Sequence, residues 1–335
     1  MPLPTLDKTW QFSVNNRIAA DSTTTGGAND GTNDRKNLLL GIKNALIGFA
    51  SNPWTVSGSS GAVAGTGAMD SVDRWTSISE MLSTATTSTD RSWIVLTQSA
   101  VGIHLLIDWV GFGSHRGSGI DIFVSTAAFT GGALNARPTA TDEIQININD
   151  FWGGGGTAII SRPFVYHVMQ STDGECTRIF IYHNGTPLGF WMFDKAKQPV
   201  TGWTEEFVAA AHQDGNTDTG FTADYDDFHD NASARSIRSG IGSVSLFLTS
   251  EGFGSEAIGE SFNNANQLNG EFPFAGIGLA STTSGFIGRH GRIFDMWWGV
   301  ETNNEGVTYP DDTSRQFAQL SDFIVPWNGT SPLTI

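Results

Sequence analysis

Short runs of β-branched and aromatic residues, separated by glycine-rich segments, constrain this chain most. SWIVLTQ (92–98), IHLLIDW (103–109) and IDIFVS (120–125) are each long enough for one strand and too short for a typical helix. GFGSHRGSG stands between the second and third. EIQININD alternates strictly, which predicts a strand with Ile144, Ile146 and Ile148 on the buried face and Gln145, Asn147 and Asn149 on the other. FVYHVMQS follows, and then RIFIYHNGTPLGFWMFD carries two apolar runs around Asn184-Gly185. Asn-Gly tolerates positive φ, so a tight hairpin is expected there, with Gly185 in the left-handed region. Further strands are expected in SVSLFLTS (243–250), FAGIGLAS (274–281) and RIFDMWWGV (292–300).

One segment breaks the pattern. In NDRKNLLLGIKNALIGFAS, Leu38, Leu39, Ile42, Ala45, Leu46 and Phe49 recur at helical spacing. A helix is expected over about 34–50, capped by Asn33 or Asp34 and ended at SNPW, because Pro53 disfavours helix at Asn52. Its apolar face must pack on something, and a sheet is the expected partner. With ten or so strands and mostly hairpin connections, the expected fold is all-β. It is an antiparallel β-sandwich, jelly-roll or lectin-like, with one N-terminal amphipathic helix. Residues 1–30 read as an N-terminal arm and 31–335 as a single sandwich domain.

The 40 glycines and 11% aromatics of these 335 residues fit that class and exclude an ordinary disordered chain. Net charge is −16, a field that repels phosphate backbones, so nucleic acid is not an expected partner. No apolar run is long enough to cross a membrane, and MPLPTLDKTWQF lacks the pattern of a secretory signal. The single cysteine, Cys176, opens a strand and reads as structural.

Catalytic patterns are missing. There is no G-x-S-x-G turn, H-E-x-x-H helix or phosphate loop. Glu251, Glu256, Glu301 and Glu305 fall in Gly- or Asn-rich turns rather than as a strand-borne carboxylate pair. His167 and His183 are expected on neighbouring strands, as a core or surface pair in preference to a metal pair. The chain is therefore expected not to be an enzyme.

QDGNTDTGFTADYDDFHD (213–230) is the one acidic concentration. Asp214, Asn216 and Asp218 sit on alternate positions, as in the first half of a calcium loop. Thr219 and Tyr225 stand where such a loop needs Gly and Glu. A solvated loop is the first reading, and a Ca2+-stiffened loop with Asp214, Asn216 and Asp218 as metal ligands the second. No other cofactor is expected.

LDKTWQFSVN (6–15), ALIGFASNPWTVSGSSG (45–61), RSWIVL (91–96), GGALNARPTATDE (131–143) and QFAQLSDFIVPWNGTSPL (316–333) resemble a family of tailed-bacteriophage virion proteins. That resemblance implies a structural component of the virion, made in the bacterial host cytoplasm. A peripheral tail, collar or baseplate position with a role in host-surface adhesion comes first. The alternatives are a capsid decoration protein or a carbohydrate-binding, lectin-like module without catalysis. It implies homo-oligomeric contacts, other virion proteins as partners and host-surface polysaccharide as a ligand. Trp10 and Phe12, in the arm, are the expected assembly contacts, since such aromatics are rarely left exposed without cause. The competing expectation is that Trp10 closes the chain's own sheet as an edge strand.

Overall fold

The structure is a computed structural model that describes residues 8–18, 32–59, 73, 75–76, 91–110, 119–125, 128–129, 143–149, 164–183, 186–194, 207–213, 233–237, 245–248, 275–276, 278–281, 285–289, 297–298, 308–309, 317–320 and 323–327. Every strand pair in it is antiparallel, and among the described residues there is one helix.

The described strands form three sheets. A central meander contains β2 (Thr55–Ser59), β3 (Arg91–Gln98), β4 (Ile103–Val110), β5 (Gly119–Ser125) and β6 (Glu143–Asn149), paired in consecutive order. The largest sheet begins with β1 (Trp10–Ile18), followed by β7 (Phe164–Ser171), β8 (Cys176–His183), β9 (Thr186–Asp194), β10 (Phe207–Gln213), β11 (Ser233–Ile237) and β12 (Ser245–Leu248). It skips β13 (Ala275–Gly276) and ends with β14 (Gly278–Ser281) and β15 (Gly285–Arg289). β13 belongs to the third sheet, with β16 (Trp297–Trp298), β17 (Thr308–Tyr309), β18 (Phe317–Leu320) and β19 (Phe323–Pro326). A jelly roll would send successive strands to alternate sheets. Here β2–β6 and β7–β12 instead run as consecutive neighbours.

The hairpin expected at Asn184-Gly185 is present: His183 pairs with Thr186, leaving two residues for the connection. The φ of Gly185 lies outside the described residues. β6 occupies the alternating segment, and its register sets Ile144 opposite Val124 and Ile146 opposite Ile122. Burial of the three isoleucines lies outside the described side chains. Of RIFDMWWGV, Trp297–Trp298 pairs in a sheet. Phe207–Gln213, Ser233–Ile237 and Gly285–Arg289 form strands from small or mixed residues that offer little β signal. β1 lies inside the stretch that reads as an arm.

The helix, α1 (Thr32–Ile47), starts slightly earlier than the capping residues suggest. Leu38, Leu39, Ile42 and Leu46 are buried on it, Phe49 just beyond it, and Ala45 is half-buried. These residues join one core with Ile94 and Leu96 of β3, Leu105 and Ile107 of β4, Tyr166 and Val168 of β7, Ile179 and Ile181 of β8, and Trp191 and Phe193 of β9. The helix thus seals apolar faces of both the meander and the large sheet. Gly41 lets it approach closely: a Cβ there would fall 2.8 Å from Tyr166 Cζ and still nearer its hydroxyl.

The unbroken WIVL run of β3 has a simple cause. Ile94 and Leu96 face the main core, while Trp93 and Val95 pack with Leu106 and Phe129 in a second cluster on the opposite face. The large sheet is also covered on both faces at β7 and β8, where Val165, His167, Met169, Phe180 and Tyr182 are buried. Trp327, following β19, sits edge-on to His167 with ring centroids 5.8 Å apart. The C-terminal sheet thereby reaches the large sheet. Among the described residues, no helix is long and apolar enough to cross a membrane.

Candidate functional site

Among the described residues, Trp10 and Phe12 meet a buried polar network at one junction, where α1 ends. Pro53 forbids continuation of the helix, and Asn52 turns the chain with φ 45°, a conformation Asn tolerates better than most residues. Gly48 N–H closes the last turn on Asn44 O at 3.0 Å, and Trp54 N–H returns to Leu46 O at 3.1 Å. The carbonyls of Ser51 and Asn52 then point away from the helix and need donors.

Three glutamines supply them. Gln170 of β7 donates through Nε2 to Asn52 O at 2.7 Å and to Ser51 O at 3.2 Å. Gln98 of β3 donates to Asn52 O at 2.8 Å and to Gln170 Oε1 at 3.2 Å. Gln11 of β1 donates to Ser51 O at 2.6 Å, and Ser51 N–H donates back to Gln11 Oε1 at 3.2 Å. Gln98 and Gln170 are fully buried. The network extends through Thr177 Oγ1, which donates to Gln170 Oε1 at 3.1 Å and accepts from Trp54 Nε1 at 3.4 Å. Buried amides of this kind hold a geometry because each polar atom left without a partner costs its full desolvation. Gly174 closes the far side. It has φ +76°, and a Cβ there would lie 2.9 Å from the Cβ atoms of Ala100 and Asn52.

A charged clamp lies beside this network. Lys8 Nζ, its side chain only 4% exposed, is 2.6 Å from Asp173 Oδ2 and 2.5 Å from Glu175 Oε2 in the β7–β8 turn. Thr172 N–H donates to Thr9 O at 2.8 Å. Burial alone would lower the Lys8 pKa, but Cys176, Asp173 and Glu175 outweigh it and hold the ammonium above its ordinary value. For Asp173, burial works upward, while hydrogen bonds from Lys8, from Ser171 Oγ at 2.6 Å and from Glu175 N–H hold its carboxyl below the usual range.

Trp10 and Phe12 complete the junction. Trp10 is 8% exposed, and the Arg178 guanidinium carbon lies 4.5 Å from its ring centroid, a cation–π stack. Phe12 is half-buried and meets Trp327 edge-on at 6.1 Å. Both residues therefore have partners within their own chain. Asp214, Asn216 and Asp218 lie outside the described residues, in the connection between β10 and β11. Among the described residues, no group of three or more His, Cys, Asp or Glu could hold a metal ion. His167 and His183 are on adjacent strands, but Phe164 pairs with His183 and His167 with Phe180. That odd offset puts the two positions on opposite faces. Cys176 is fully buried at the first position of β8.

A histidine–hydroxyl chain lies on the other face of the meander. Thr97 Oγ1 is 2.8 Å from His104 Nδ1 and donates to Ser57 Oγ at 2.9 Å, and Ser57 donates to Val95 O at 3.4 Å. Burial lowers the His104 pKa, favouring the neutral ring.

Sequence reasoning missed the glutamine clamp. A signal was present: Gln98 and Gln170 each end an apolar run and each precede a serine, as TQS and MQS. Lys43 gave none. It is 2% exposed on α1, bonded to Asp73 Oδ2 at 2.7 Å and Trp75 O at 2.8 Å, and so secures the buried Trp75.

Comparison with protein-family models, with curated proteins and with solved structures gives no match for this chain.

Proposed function

We propose that the chain is a non-catalytic structural component of a tailed-bacteriophage virion, at its periphery in tail, collar or baseplate. One observation carries the reading. Three of the stretches that resemble virion proteins are distant in sequence yet converge at the junction. LDKTWQFSVN supplies Lys8, Trp10, Gln11 and Phe12; ALIGFASNPW supplies Ser51, Asn52 and Trp54; and FIVPW ends in Trp327. Residues that build one junction are the kind a shared framework would retain together.

In this reading the meander and the large sheet are the two faces of a β-sandwich with α1 sealing it, and Trp10 and Phe12 lie where neighbouring subunits meet. The acidic 213–230 segment then belongs to a peripheral loop. Adhesion to host-surface polysaccharide is compatible with such a position. Support also comes from the small share of charged residues, 16%, since uncharged polar surface packs in assemblies without desolvating charge.

Quantitative mass spectrometry of purified particles of the phage that encodes the chain tests the proposal. A few to a few dozen copies per particle are expected. Copies comparable in number to the major capsid protein would move the chain to capsid decoration. Its absence from particles would refute a virion role.

A further inference from the structure

The anchors of β1 divide the chain in an informative way. Lys8, Thr9, Trp10, Gln11 and Phe12 take their partners from Asp173, Glu175, Thr172, Arg178, Ser51 and Trp327. Every one of those partners follows residue 31 in sequence, with separations of 40 for Gln11–Ser51 and 165 for Lys8–Asp173. β1 is also the terminal strand of its sheet, beside β7, and its pairing shifts register between Ser13 and Asn16. The thirteen residues 19–31, AADSTTTGGANDG, separate it from α1. Fully extended, they reach about 43 Å. Among the described residues, the receptor that these anchors of β1 meet is formed by residues after 31, and a second copy presents the identical receptor.

We infer that β1 is an exchangeable strand: in the assembled protein it leaves its own sheet and adds to β7 of a neighbouring copy, remaking the same bonds there. Such exchange costs little, because the receptor that β1 vacates in one copy is filled by the β1 of another, and the linker sets how far apart the copies stand. It rests on the reading of the chain as an assembly subunit and names the strand through which it assembles.

The Lys8 clamp makes the test possible on the unmodified sequence. Chains labelled with 14N and with 15N are mixed one to one while unfolded, refolded, and separated into monomeric and assembled fractions. A zero-length carbodiimide then joins Lys8 to Asp173 or Glu175, and the linked peptides are read by mass spectrometry. Exchange predicts same-isotope links in the monomer and, in the assembled fraction, a mixed-isotope share close to half. Assembled protein with same-isotope links alone overturns the exchange while leaving assembly intact. Failure to assemble at any concentration, together with absence from particles, removes both the exchange and the virion reading. Folded protein that forms no Lys8 link of either kind overturns the clamp and the exchange with it, and Lys8→Met supplies the reference for an absent link.

Discussion

Gln11 and Ser51 hold each other by two hydrogen bonds of opposite direction: the Gln11 amide donates to the Ser51 carbonyl at 2.6 Å and accepts from the Ser51 N–H at 3.2 Å. The side chain thereby imitates a strand pairing with a backbone that is not in any strand. It joins the first strand to the turn that ends the helix, across 40 residues of sequence.

Gln11→Ala removes both bonds: the part-buried Ser51 N–H loses its partner, and Ser51 O keeps only the longer bond from Gln170 at 3.2 Å. The expected loss is about 1–3 kcal/mol of unfolding free energy. Urea denaturation of the variant beside the parent measures it. An unchanged midpoint would mean that the pairing contributes nothing to the fold.

Asp173 has a carboxyl pKa below its unfolded value, so its contribution is present above about pH 4 and disappears as pH falls through the lowered value. Lys8 has the opposite sign. Its raised pKa gives stability that is complete below about pH 10.5 and is lost as pH rises through the folded value. Melting temperatures of the parent and Asp173→Asn should differ at pH 7 and converge toward pH 2. A constant gap across that range would contradict the clamp.

His104 titrates below its ordinary value because burial disfavours the imidazolium. Folding stability should therefore decline as pH drops from about 6.5 toward the lowered pKa, since the unfolded chain takes up the proton first. Histidine ring signals followed by NMR against pH give the answer. A midpoint for His104 at or above about 6.5 would contradict the assignment.

Gly41→Ala sets helix propensity against packing. Alanine favours the helix by about 1 kcal/mol over glycine. The added methyl, however, meets Tyr166 Cζ at 2.8 Å, so a net loss of about 1–3 kcal/mol is expected. Tyr166→Phe in the same chain should recover part of it by removing the hydroxyl. A stabilised Gly41→Ala variant would show that the helix can retreat from β7.

Leu46→Ala should cost about 2–5 kcal/mol, because Leu46 is fully buried in the core shared by helix and both sheets. Thermal unfolding followed by circular dichroism provides the value. A loss under about 1 kcal/mol would mean that α1 is not part of the cooperative core.

The element types were legible in the sequence wherever side-chain period and strand chemistry agree. The WIVL run, the EIQININ alternation, the Asn-Gly hairpin and the helical stripe from Leu38 to Phe49 each describe a local surface that must be covered, and the chain forms them where expected. Sequence could not say what covers them. Strands from low-signal segments, such as FVAAAHQ, exist because neighbouring strands offer backbone partners, a matter of pairing rather than propensity. The burial of Trp10, the glutamine clamp, the Lys8 ion pairs and the Lys43–Asp73 bridge depend on residues 30 to 168 positions apart. Local physics determines which face of an element is apolar. Only the tertiary structure decides which distant amide or carboxylate fills the polar gaps, because those contacts form after the sheets have brought their ends together.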